Sequence, residues 1–120
     1  MNGNRIFVSA LLVIASSLAV AGCRHGNWTK SNIVESQARG NRIVAALDQY
    51  KAQNGKYPDS LALLLSGFLG EIEPPLAGNQ VWRYAALKDG EDFELGFEGA
   101  ADEPTCWYAR SRKEWWLDTK

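Results

Sequence analysis

The sequence is short of the residues that usually carry chemistry: one histidine, His25, and two cysteines, Cys23 and Cys106. No His/Cys metal cluster can be read from it, nor a glycine-rich phosphate loop or a nucleophile elbow. His25 lies in a segment without periodicity, a surface position rather than that of a general base. Paired carboxylates exist, but in an acidic surface run they are common and carry no specificity. No catalytic residue, metal or cofactor is therefore expected, and the chain reads as a non-enzyme. Excess positive charge is also missing. Formal net charge is -1, which disfavours a nucleic-acid partner.

Charge is unevenly placed. Residues 24–56 hold six basic and two acidic side chains, residues 57–103 two basic and ten acidic, and residues 104–120 four basic and two acidic. A solvated, internally complementary surface explains this pattern. The acidic segment 89–103 stays open as a cation or partner site.

The N-terminus has one charge, Arg5, followed by an apolar run over residues 6–20 broken only by Ser9, Ser16 and Ser17. Fifteen helical residues span about 22 Å, short of the roughly 30 Å hydrocarbon core of a bilayer. That length suits an export signal better than a transmembrane helix. The run ends in Leu18, Ala19, Val20, Ala21, Gly22 and Cys23, which resembles the lipobox of bacterial lipoprotein precursors. Small residues there let a protease take the backbone extended, and the cysteine thiol accepts the lipid. The resemblance implies a signal peptide over residues 1–22, removed on export, and a lipid on Cys23 that holds the mature chain to the membrane. Val20 departs from the more usual leucine. An uncleaved anchor and conventional cleavage near Ala21 are the rival readings. By the same resemblance Arg24 is not the aspartate that retains lipoproteins in the inner membrane, so the expected location is the outer membrane, facing the periplasm. Cys106 is then left without a partner in the mature chain. A disulfide to Cys23 is the alternative, and a buried inert thiol is the ordinary explanation for a cysteine in an aromatic strand.

Removing residues 1–22 leaves 98 residues, enough for one modest core. Residues 23–30 read as a lipidated tether, and residues 31–120 as one domain. Thr29 or Ser31 can cap a helix over residues 32–54, where Ile33, Gln37, Gly40, Val44, Leu47 and Lys51 recur at helical steps. The apolar stripe widens late, so firm packing is expected only from Ile43 onward. Asn54 and Gly55 supply a left-handed stop and Pro58 forbids resumption. A short second helix over residues 61–65 and a loop over residues 70–80 follow. Residues 81–87 form a strand with Trp82, Tyr84 and Ala86 on one face, and Asp89-Gly90 is a tight-turn signal. Phe93, Leu95 and Phe97 then alternate with Asp92, Glu94 and Glu98, and strands over residues 105–109 and 114–117 complete the set. The fold class is α+β: a long N-terminal helix packed on a three- or four-stranded antiparallel meander.

The run from Ile43 through Tyr50-Lys51, Asn54-Gly55 and Tyr57-Pro58 to Asp59 resembles the globular domain of type II secretion major pseudopilins and other type IV pilin-like proteins. In that family a long helix ends in such a sequence before an antiparallel sheet. The resemblance implies a pilin-like domain working at the cell envelope beside secretion or pilus machinery. Pilin precursors, however, carry a different cleavage site followed at once by a hydrophobic stem, and neither occurs here, so a filament-subunit role is not expected. Some pseudopilins bind calcium in a loop of the sheet, and by position Asp102 and Glu103 are nearest to it. The spacing is no recognisable calcium loop, and plain solvated carboxylates are the expectation.

The chain is rich in tryptophan: Trp28, Trp82, Trp107, Trp115 and Trp116. Neighbours in a strand point to opposite faces, so only one of Trp115 and Trp116 can face the core, and Trp107 and Tyr108 split likewise. Trp107, Trp115 and Trp116 are the candidate contacts for an envelope protein partner, or alternatively for a glycan or small ligand. A row of exposed aromatics would favour the ligand, and a flat polar sheet the protein partner.

Overall fold

A computed structural model describes residues 24–119. The proposed signal peptide and Cys23 lie outside the described residues.

A 3-10 turn at Arg24–Asn27 leads into helix α1, Lys30–Asn54. Thr29 is extended, and its hydroxyl accepts the Asn32 amide at 3.1 Å, satisfying one of the free donors of the first turn. At the other end Gly55 has φ +85° and its amide returns to the Lys51 carbonyl at 2.7 Å, the left-handed stop its sequence calls for. The chain then locks onto the sheet. Tyr57 donates its amide to the Gly90 carbonyl, and its ring meets Phe93 edge-on with centroids 4.8 Å apart. A short 3-10 helix, Leu61–Leu65, buries Leu64 beneath the C-terminal half of α1.

The sheet is a four-stranded antiparallel meander, β1 Arg83–Leu87, β2 Asp92–Glu98, β3 Thr105–Ala109 and β4 Glu114–Asp118, with the strands in sequence order. Strand β1 begins two residues later than the pattern suggests, leaving Val81 exposed before it. The first hairpin closes through a 3-10 turn, Lys88–Gly90, rather than a two-residue turn, and all three of its residues have positive φ. The alternation in β2 sends Phe93, Leu95 and Phe97 to the face covered by α1, where they are buried with Ile43, Val44 and Leu47.

Two expectations need correction. The N-terminal half of α1 is not freely placed, because small and polar residues hold it where apolar ones are scarce. Ser36 is wholly buried. Its hydroxyl donates to the Asn32 carbonyl and accepts the amides of Leu76 and Ala77 at 2.8 and 3.2 Å. Gly40 is buried against the rings of Trp115 and Trp82. The loop over residues 70–80 thus becomes a strap across the helix, tied further by Arg39 to the Pro74 carbonyl, Arg42 to Glu73, and the Trp82 indole to the Glu73 carbonyl. The tether, for its part, is shorter than residues 23–30. The Asn27 side-chain amide exchanges two hydrogen bonds with the backbone of Gly78, at 2.9 and 3.0 Å, and Trp28 stacks on Phe97. From Asn27 onward the segment belongs to the folded body.

Candidate functional site

Helix α1 covers one face of the sheet, and among the described residues no helix or strand covers the other. Pairing places Arg83 opposite Gly96, Gly96 opposite Trp107, and Trp107 opposite Trp116, so these four form one row across the open face. Gly96 has no side chain, and Trp107 lies in the space: a Cβ on Gly96 would overlap its ring. Trp116 stands beside it, 53% exposed, with the Arg112 guanidinium 5.2 Å from its ring centroid. A tryptophan left this exposed gives up apolar burial that it could otherwise gain.

Around the aromatic pair the open face is acidic. Glu114, Trp116 and Asp118 alternate on β4, and Asp92, Glu94 and Glu98 occupy the same face of β2. Arg83 reaches Glu98 at 3.6 Å, Arg110 reaches Asp92 at 2.5 Å and Arg112 reaches Glu114 at 3.5 Å. All three pairs are solvent-exposed enough to be individually weak.

Trp115 is not on this face. It points to α1, where its indole donates to Asn41 Oδ1 at 2.9 Å and its ring packs with Tyr108, Phe97 and Trp82. The three candidate tryptophans are therefore divided: Trp107 and Trp116 share the open face, and Trp115 serves the core. The clue to the platform in the sequence is Gly96, a glycine inside an alternating strand, which marks a close approach by a neighbour.

The acidic segment does not converge. Asp92 and Glu98 turn to different arginines. Glu103 is buried, with Oε1 accepting the Ala100 amide at 2.8 Å so that it closes its own loop, while Asp102 is exposed. Among the described residues no group of three or more histidine, cysteine, aspartate or glutamate side chains is placed to hold a metal. Cys106 is a free, buried thiol whose pKa is pushed up by burial, partly offset by the Gln37 amide at 3.5 Å. Such a thiol is a poor nucleophile. Among the described residues no helix is long and apolar enough to cross a membrane. Comparison with protein families, with curated proteins and with solved structures returns no match for this chain.

Proposed function

We propose that this protein is a lipid-anchored, pilin-like interaction module of the bacterial cell envelope, held by Cys23 after loss of residues 1–22 and binding a protein partner on its open sheet face. The observation that carries the reading is the open sheet face, which no element among the described residues covers and which is mainly polar and acidic around one largely exposed tryptophan, Trp116, rather than a row of exposed aromatics. The helix that stops at Gly55, the Tyr57-Pro58 exit and the four-stranded meander agree with the pilin-like resemblance. Work beside secretion or pilus machinery, at the outer membrane rather than the inner, follows from the same resemblances. The module is not a filament subunit, because the apolar run that would form a stem precedes the proposed cleavage after Gly22.

Intact mass of the membrane-extracted protein should begin at an acylated Cys23, and Cys23→Ala should block maturation. Unchanged processing and membrane partition of that variant would refute the anchor. For the binding face, a photo-crosslinking residue at position 116 should form a discrete protein adduct in cells, whereas one at Gln49, exposed on α1, should not. Equal adducts at both positions would refute the assignment of the face. A second reading, a glycan- or ligand-binding lipoprotein, is favoured by the Trp107 ring lying over Gly96 beside a second indole, since ring faces stack on sugars. Fluorescence quenching by oligosaccharides without any protein adduct would select it.

A further inference from the structure

Strand β4 is an edge strand, hydrogen-bonded only to β3 among the described residues. Resting on the protein-partner reading above, we infer that this edge accepts an extended, cationic segment of another protein as a fifth strand, with alternate basic side chains falling beside Glu114 and Asp118.

An open edge is a template for strand addition, and backbone hydrogen bonds would supply sequence-independent affinity. The side chains determine which strand can use it. On the open face β4 presents Glu114, Trp116 and Asp118 in alternation, with Trp116 more than half exposed. A second copy fits badly. Antiparallel pairing of β4 with itself about Trp116 would set each Glu114 opposite an Asp118, and like charges directly opposed across strands are unfavourable. A strand with lysine or arginine at those two positions and an apolar residue between them reverses both contacts and covers Trp116. Arg112, now over Trp116 and within 3.5 Å of Glu114, occupies the place such a cation would take. It comes from an exposed turn and can swing aside.

The test uses the full chain in nonionic detergent and a synthetic decapeptide alternating lysine with valine and tyrosine, compared with its glutamate-for-lysine counterpart. The lysine peptide should slow amide hydrogen exchange across Glu114–Asp118 at least tenfold and quench tryptophan fluorescence, while the glutamate peptide does neither. The double variant Glu114→Lys/Asp118→Lys should reverse that preference, with circular dichroism confirming the fold. Unslowed exchange in β4 overturns the edge proposal. Quenching without β4 protection also overturns it, while leaving the open face as a binding surface. The charge argument has its own check, because Glu114→Lys makes the strand self-complementary. This variant should sediment as a dimer at concentrations where the natural chain is monomeric, and unchanged sedimentation overturns the argument.

Discussion

The substitution Gly40→Ala sets two physical effects of known sign against each other. In a helix interior the change should stabilise by about 0.5–1 kcal/mol, because alanine loses less backbone entropy and keeps the helix geometry. In this protein a Cβ at position 40 would overlap the six-membered ring of Trp115 and come within 3.0 Å of Trp82. Trp115 cannot easily retreat. Its indole is hydrogen-bonded to Asn41, and its ring is wedged among Tyr108, Phe97 and Trp82. Overpacking of a site held in this way costs roughly 1–3 kcal/mol, so the net expectation is a loss of about 1–2 kcal/mol. For a domain of this size that lowers Tm by about 4–15 °C. Denaturant and thermal melts followed by far-UV circular dichroism would measure it without relying on tryptophan signals. A double-mutant cycle with Trp115→Leu should recover part of the loss, since the two side chains compete for one space. If Gly40→Ala is as stable as the natural chain or more so, helix propensity has won and the packing argument fails.

Three further outcomes follow from other parts of the fold. Gly55→Val should destabilise by more than about 1 kcal/mol, because a β-branched residue is strained at φ +85° even though nothing lies within 4 Å; Gly26→Val, before the docked segment, should be nearly neutral, and equal melts for the two would place the helix stop elsewhere. Ser36→Ala should cost about 2–4 kcal/mol by stripping the partner from the amides of Leu76 and Ala77, with faster hydrogen exchange at those two amides as its signature. In alkali, Tyr84 should ionise only near pH 12, since burial chiefly, with Asp59 beside it, pushes its pKa from 10.0 to about 12. The folded state then holds that proton more tightly than the unfolded state, so the stabilisation is whole below about pH 10 and is lost as pH rises toward 12. Phenolate absorbance and stability measured across that window would check it, and a normal tyrosine titration with the fold intact would refute it.

Much of the architecture was legible in the sequence because its signals are local. Thr29, Gly55 and Pro58 bound the helix by capping, a left-handed residue and a missing donor, and each acts within a few residues of itself. The alternation of Phe93, Leu95 and Phe97 with acidic residues assigns the faces of β2 for the same reason. What sequence could not decide were the contacts between distant segments. Nothing in the local pattern marks Ser36 as buried until the strap over residues 70–80 is laid on it, and Asn27 reads as linker until it meets Gly78, 51 residues away. Side-chain alternation requires Trp115 and Trp116 to part, but which one is covered depends on where α1 crosses the sheet, and Gly40 lets it cross at Trp115. Likewise, Gly96 marks a close approach, and the register of β2 with β3 alone says that the approaching group is Trp107. Local backbone preferences fixed the elements, and long-range pairing, invisible in a linear pattern, settled which tryptophans form the core and which face the solvent.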